Sequence, residues 1–328
     1  MTMIIVRSPL RISLGGGGTD LPSYYEKSEG FVVSAAIDKY VFVALNRPFT
    51  NEFILKYSNY EKRNNLNLIA HPIIREALKL YRPIGEGIEI STMADLPSGT
   101  GLGSSGSFTT AILKALATHL GKPIHAHDLA ELACHIEIEL LKEPIGKQDQ
   151  YIAAFGGFTS FNFKKNGEVV VEALPISKDT IHDLEDNLLL FYTGLSRSAS
   201  DILKDQDLRS KKSDSDMQQN LDYIKNLGMQ SKELLISGHT NQFGNLMNEH
   251  WEYKKSRSVG ITNDQINSAY ASAMNNGAVG GKLVGAGGGG FLLFYANDVE
   301  KLRSHMSILN MPEVRFKFDF EGTSVVLH

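Results

Sequence analysis

The chain has 328 residues, a formal net charge of -4 at pH 7 and 42% hydrophobic residues. That composition excludes a wholly disordered or fibrous protein and is ample for one large core or two domains. A single cysteine, Cys134, excludes a disulfide framework or a cysteine-rich zinc or iron–sulfur centre within one chain, and the near-neutral charge argues against a dedicated nucleic-acid binder. The N-terminus lacks the pattern of a signal peptide and no run of 18 apolar residues occurs, so a cytoplasmic protein is expected.

Residues 4–14 alternate and read as a strand, ended by the run Gly15-Gly16-Gly17-Gly18. Thr19-Asp20-Leu21-Pro22 reads as a helix start or tight turn. Residues 31–45 read as one or two strands and 52–58 as another. Leu68, Ile69, Ile73, Ala77 and Leu78 carry helical spacing over 66–80, and 87–93 reads as a short strand. A glycine–serine loop, 96–106, leads into a helix over 107–120 with a broad apolar face. Asp128 and Glu131 look like a capping box opening a helix to about Lys142. His135-Ile136-Glu137-Ile138-Glu139-Leu140 alternates like a strand inside it, and Pro144 and Gly146 stop it.

Gly156-Gly157 reads as a turn feeding a strand, and 167–174 and 188–192 as further strands. The polar stretch 201–216 reads as a surface loop or a charged helix. Helices follow over 217–236, 239–254 and 263–275. A second glycine cluster spans 285–290, before a strand over 291–295, a helix over 299–309 and a strand with alternating Phe over 314–320. Strands and helices interleave without an even βαβ series or a fixed repeat, so α+β layers are favoured over a Rossmann or barrel fold.

The loop Leu96-Pro97-Ser98-Gly99-Thr100-Gly101-Leu102-Gly103-Ser104-Ser105-Gly106-Ser107 suits a triphosphate. Its glycines expose consecutive N–H groups, the following helix N-terminus favours an anion, and its serines supply hydroxyls. No lysine follows Gly106, so it is not a Walker A loop, and the dinucleotide fingerprint lacks its third glycine. Three glycine clusters in one chain suggest several backbone segments converging on one ligand.

Three motifs in order carry a family resemblance: Ser8 to Asp20, Pro97 to Ser107, and Lys282-Leu283-Val284-Gly285-Ala286-Gly287-Gly288-Gly289-Gly290. The chain resembles the superfamily named for galactokinase, homoserine kinase, mevalonate kinase and phosphomevalonate kinase. The resemblance implies a two-domain α+β fold, with an N-terminal domain of a kind seen in ribosomal proteins over residues 1–180 and a ferredoxin-like C-terminal domain over 181–328. The Gly-Gly-Gly-Thr-Asp form of the first motif and the segment from Gly146 to Gly157 look most like the heptose 7-phosphate kinases, whereas galactokinases carry Gly-Glu-His-Thr-Asp there. Fucokinase-like kinases share much of the same pattern. The implied reaction is ATP-dependent phosphorylation of a sugar C1 hydroxyl with Mg2+.

By resemblance, Pro97, Gly99, Gly101, Leu102, Gly103, Ser104, Ser105, Gly106 and Ser107 hold the ATP phosphates, and Ser105 and Glu137 the metal. Glu139 lies about 200° from Glu137 around a helix and should point elsewhere. Asp149, just after a Pro-Ile-Gly turn, is the candidate general base and Arg11 its partner, stabilising charge on the transferring phosphoryl group. Gly17, Gly18, Thr19 and Asp20 are assigned to the sugar, with Gly287 and Gly288 closing the site. Arg197 and Lys282 are candidates for an anionic sugar. Residues 57–73 are assigned to adenine by position alone.

Three other readings stand beside this one. His125, His127 and His135 cluster, without an H-E-x-x-H metal pattern. A non-catalytic nucleotide- or sugar-binding module would keep the glycine loops and lose Asp149, Glu137 and Ser105, which this chain retains. A nucleic-acid role lacks a basic stripe with interleaved aromatics.

Overall fold

The computed structural model describes residues 3–81, 87–195, 200–212, 214–258 and 260–328, the side chains of 200 and 201 apart. The first sheet is built from β1 (Ile4–Gly15), β2 (Gly30–Asn46), β3 (Phe53–Lys56), β4 (Tyr60–Arg63), β5 (Ile88–Ala94), β6 (Phe158–Phe163), β7 (Val169–Ala173) and, from the far end of the chain, β12 (Ser324–Leu327). Its order is β12-β1-β2-β5-β3-β4, with β6 and β7 added beside the first half of β2. The second sheet is antiparallel, in the order β11-β8-β10-β9: β8 (Leu188–Tyr192), β9 (Ala278–Leu283), β10 (Phe291–Ala296) and β11 (Glu313–Val314).

The helices are α1 (Pro22–Ser28), α2 (Pro72–Tyr81), α3 (Ser104–His119), α4 (Ala126–Cys134), α5 (Gln148–Phe155), α6 (Lys178–Asn187), α7 (Ser200–Lys211), α8 (Ser215–Ile236), α9 (Thr240–Arg257), α10 (Asp264–Met274) and α11 (Val299–Ile308). One core joins the first sheet to α2–α5 through residues such as Val32, Val43, Ile112, Ala133 and Ile152. A second joins Leu10, Ile12, Leu14, Val33 and Ala35 to Leu190, Leu293, Phe243 and Met247, so the second sheet and α9 pack on the other face. β1 and β2 are therefore buried on both faces along their inner halves, which is why their hydrophobic alternation is imperfect.

The mixed α+β architecture agrees with the expectation. Residues 31–45 lie in one strand, bent where the β1 ladder passes from Pro9↔Tyr40 to Leu10↔Ile37 and skips Asp38 and Lys39. Three local expectations are corrected. Helix α2 starts at Pro72, after a short 3-10 turn over Leu66–Leu68, because proline fits the first helical position and lacks the N–H that an earlier start would use. Asp128 forms no capping bond: α4 begins two residues earlier behind His125. The helix expected through the strand-like run His135–Leu140 is there, as a π-helical segment closed by Leu141 N–H donating to the Ile136 carbonyl at 2.9 Å. Residues 314–320 cross between the sheets: Val314 pairs with β8, Phe318 bridges Ile37, Phe316 and Phe318 are buried, and Phe320 is exposed. The stretch after 200 is the charged helix α7. Helices α5 and α6 and strands β9 and β12 have no counterpart in the sequence reading.

Candidate active site

A cavity of about 380 Å³ opens where β1, the N-termini of α3 and α5, the π segment, α9 and the end of β9 meet. Its centre is an ion pair. Arg11, on β1 just before the glycine run, donates from Nε and Nη2 to Asp149 Oδ1 at 2.8 and 2.7 Å. Its Nη1 donates to the Gly101 carbonyl. The Arg11 side chain is only 7% exposed, whereas Asp149 keeps 32%, so the carboxylate presents an open side to the cavity. Asp149 lies in the first turn of α5 rather than in a loop, which fixes its backbone.

The glycine–serine loop forms one wall. Helix α3 starts at Ser104, three residues earlier than its apolar periodicity predicts, behind Gly103 at φ +77°. That left-handed cap offers no side chain to the first turn, so the N–H groups at the start of α3 keep their capacity for a ligand anion. Gly99, Gly101, Gly103, Ser104, Ser105 and Gly106 line the cavity. Three other loop assignments are corrected. Pro97 is exposed and only accepts from the Thr100 hydroxyl at 2.8 Å; Leu102 is a core residue; and the Ser107 hydroxyl is buried, donating to the Pro9 carbonyl at 2.7 Å.

Glu137 and Ser105 do come together. The Ser105 hydroxyl donates to Glu137 Oε2, and Gln150 Nε2 donates to Oε1 at 3.0 Å. The π segment turns Glu137 inward, 1% exposed, while Glu139 faces out to pair with His135 at 2.7 Å. Burial pushes the Glu137 carboxyl up to about 7, against its hydrogen bonds to Ser105, Gln150 and Thr109, with Asp149 adding repulsion. Among the described residues no cationic side chain forms an ion pair with it. Among the described residues no group of three or more His, Cys, Asp or Glu is placed to hold a metal, and His127 packs edge-on against Tyr151.

On the sugar side of the first motif, Gly17, Gly18 and Asp20 line the cavity. Asp20 accepts from the N–H of Gly18 and of Gln148, both at 3.1 Å, so it caps α5 from 128 residues away. Burial and the neighbouring Asp149 raise its pKa. Thr19 is corrected: fully buried, its hydroxyl donates to the Gly16 and Phe31 carbonyls at 2.8 and 2.9 Å and accepts from Phe31 N–H, stitching the turn to β2.

Lys282 lines the cavity from β9, with Leu283, Val284, Gly285 and Ala286 beside it. Gly287 and Gly288 lie behind and are corrected: a Cβ on Gly287 would stand 2.9 Å from Ile261 Cα, and Gly288 N–H donates to the Ile261 carbonyl at 2.8 Å. The third cluster instead meets the second. A Cβ on Gly285, at φ +77°, would stand 2.4 Å from Gly101 Cα. Gly285→Ala is therefore expected to destabilise the protein by about 2 kcal/mol and to loosen the phosphate loop. A urea midpoint equal to wild type would contradict that contact. Arg197 lies outside the described residues. Pro72 and Ile73, at the end of the segment assigned to adenine, do line the cavity.

The sequence reading missed the wall made by α9. His250, Lys254 and Arg257 recur at i, i+4 and i+7, which places them on one helix face, and all three line the cavity. Arg257 Nη1 donates to the Gly17 carbonyl and to Gln206 Oε1, each at 3.2 Å. Lys254 Nζ donates to the Leu283 carbonyl at 2.7 Å and to that of Gly285.

An anion cradle at a helix start, a carboxylate–arginine pair beside it and a polar, cation-rich far wall belong together in phosphoryl transfer, where catalysis rests on positioning and charge neutralisation. The comparisons agree. Residues 68–157 match the GHMP kinases N terminal domain and residues 231–309 the GHMP kinases C terminal domain. A D-glycero-alpha-D-manno-heptose 7-phosphate kinase from Campylobacter jejuni is 32% identical over 92% of this chain and 91% of its own. An L-fucokinase/L-fucose-1-P guanylyltransferase from Bacteroides fragilis is 29% identical over 95% of this chain, which spans 37% of that protein. The crystal structure of a D-glycero-D-manno-heptose 1-phosphate kinase from Bacteroides thetaiotaomicron superposes with a TM-score of 0.81, at 25% identity and 99% coverage of both chains. The chain belongs to the GHMP kinase family, and its two-domain α+β fold is that family's. It is an ATP-dependent kinase. No helix of the described residues is long and apolar enough to cross a membrane.

Proposed function

We propose that this kinase transfers the γ-phosphoryl group of ATP to the C1 hydroxyl of D-glycero-D-manno-heptose 7-phosphate, giving the 1,7-bisphosphate and ADP. The observation that carries the reading is the half-open Asp149 carboxylate, locked by Arg11 between the α3 cradle and a cation-lined wall. The bond formed joins the sugar O1 to the γ-phosphorus, and the β–γ bridging P–O bond breaks toward ADP. Asp149 aligns the hydroxyl and takes its proton. Arg11 holds Asp149 in place and faces the charge that develops on the phosphoryl oxygens. The N–H groups at the start of α3, with Gly101, Gly103, Ser104 and Gly106, bind the ATP phosphates. Gly17, Gly18 and Asp20 orient the sugar.

The donor set of Ser105 and Glu137 fits Mg2+. It consists of oxygens only, and a buried carboxylate with no cationic partner among the described residues lacks just such a charge. Ser105 and Glu137 would hold such an ion, which would neutralise phosphate charge. Residues 1–180 then supply the cradle and both catalytic groups, and residues 181–328 the cation-lined wall. ATP consumption suits a cytoplasmic enzyme.

The test is sugar-dependent ADP release with heptose 7-phosphate, heptose 1-phosphate, free heptose, mannose, fucose and galactose. The expected result is a kcat/KM for the 7-phosphate at least about a hundredfold above that for free heptose, since a site built around a polar group rejects the analogue lacking it. Product NMR should place the new phosphate on C1. Preference for fucose would replace the substrate, and no sugar-dependent ADP from any of them would end the reading.

A further inference from the structure

Lys254, Arg257 and Lys282 are almost fully buried, at 6%, 6% and 2% exposure, and none has a carboxylate within ion-pairing distance among the described residues. Arg11, in the same cavity, has one. Burying a cation without a counter-charge costs several kcal/mol, and three together repel one another as well. The bonds of Arg257 to Asn220, Gly17 and Gln206 and those of Lys254 to the end of β9 are neutral contacts that balance no charge, and part of the hydrogen-bonding capacity at the cavity is left unused. Arg257 Nη2, both ring nitrogens of His250 and Gln148 Nε2 are buried without partners, and Lys282 Nζ has no hydrogen-bond partner among the described residues. Lys254 is committed differently: its bonds to the Leu283 and Gly285 carbonyls fix the end of β9, so it acts as a positioning residue and a source of charge.

We propose that Arg257, Lys282 and His250 form a subsite for a phosphate monoester carried by the acceptor sugar, separate from the α3 cradle that takes the ATP phosphates. This rests on the heptose 7-phosphate reading and specifies how the phosphate of that substrate is recognised. The two anion sites are distinct in their surroundings. Glu137 interacts with Ser105, Gln150, Thr109 and Asp149, whereas Lys282 feels Arg11 and Arg257, and His250 feels Lys282, Arg257 and Lys254. Arg11 is near both: it bonds Asp149 and the Gly101 carbonyl and acts on Lys282 and Lys254. Burial and repulsion from neighbouring cations push Lys282 down to about 7 and Lys254 and His250 well below their usual values, while burial pushes Arg257 to about 10 against the attraction of Asp20. The acid that acts on Arg257 is Asp20, which is itself held by two backbone N–H groups. A dianion entering here favours the charged forms of Lys254 and Lys282 and gives Arg257 and Gln148 acceptors they lack.

The experiment compares Arg257→Met and Lys282→Met with wild type on heptose 7-phosphate and on free heptose. The expected result is that the ratio of the two kcat/KM values falls about thirtyfold or more in each variant, as charged hydrogen bonds of this kind are lost, while KM for ATP moves less than about twofold. A ratio unchanged in both variants overturns the subsite. A second measurement needs no variant: inorganic phosphate is expected to inhibit wild-type enzyme competitively against the sugar phosphate and not against ATP. Competition against ATP alone overturns it too. If wild-type enzyme shows no preference for the phosphorylated sugar, the substrate assignment falls, and the phosphate competition decides the subsite independently.

Discussion

Asp149→Asn is expected to lower kcat by about a thousandfold while nucleotide affinity stays within about twofold of wild type. The substitution is nearly isosteric, and its side-chain carbonyl still accepts from the Arg11 Nε and Nη2 groups that now meet Oδ1. The start of α5 is also held independently, by Asp20 accepting the Gln148 N–H. Fold and cradle therefore survive, and what disappears is the open Asp149 carboxylate that takes the hydroxyl proton beside the cradle. Single-turnover phosphoryl transfer and equilibrium ADP binding separate the two effects. A kcat within tenfold of wild type would show that Asp149 only anchors Arg11 and that the hydroxyl reacts without a protein base. A parallel loss of nucleotide binding would show instead that the pair supports the α3 loop, which Gly103 brings to within 3.3 Å of Asp149 Cγ at the position a Cβ would occupy.

What was readable in the sequence divides along physical lines. Helices such as α3, α8 and α10 declare themselves by period, and β10 by a continuous apolar run buried on both faces. The phosphate loop declares itself through glycines that precede a strong helix. Strand β9 does not, because Gly280 and Gly281 erase its hydrophobic signal, and α5 does not, because its polar first turn reads as loop. Asp20 capping α5 is beyond any local rule, since the partners lie 128 residues apart. A glycine cluster marks close backbone approach without saying to what. Gly101 meets Gly285, and Gly287 meets Ile261, where a ligand was the natural guess. The α9 stripe is the instructive case. His250, Lys254 and Arg257 are plain at i, i+4 and i+7, but a charged stripe on a helix is ordinarily its solvent face. Only burial distinguishes a solvated stripe from a binding wall. The strand-like run at Glu137 was a true conflict of periods, and the π segment resolves it by turning one glutamate in and the next out.

Glu137→Gln is expected to change stability and activity in opposite directions. In the ligand-free protein the carboxyl titrates at about 7, against 4.5 in an exposed chain. Between those pH values the folded state therefore binds more protons than the unfolded one, and stability falls as pH rises through the window. The stabilisation relative to an ionised buried carboxylate is present below 4.5 and lost by the time pH passes 7; its size is about 3 kcal/mol. Glutamine carries no charge to bury, so the variant should lack this decline and should be the more stable protein at pH 7.5. Lys282, depressed from 10.5 to about 7, acts in the adjoining window with the opposite sign, its stabilisation being lost as pH falls through 7. Urea midpoints of wild type and variant from pH 4.5 to 7 isolate Glu137, since the contributions of Asp20 and Lys282 are common to both. Activity should move the other way: kcat/KM lowered about a thousandfold and the Mg2+ dependence shifted to higher concentration, as removing a carboxylate from an oxygen-ligated ion predicts. Parallel pH profiles would show that Glu137 is not the group ionising near 7. An unchanged Mg2+ dependence would leave Ser105 and Glu137 as a purely internal hydrogen-bonded pair.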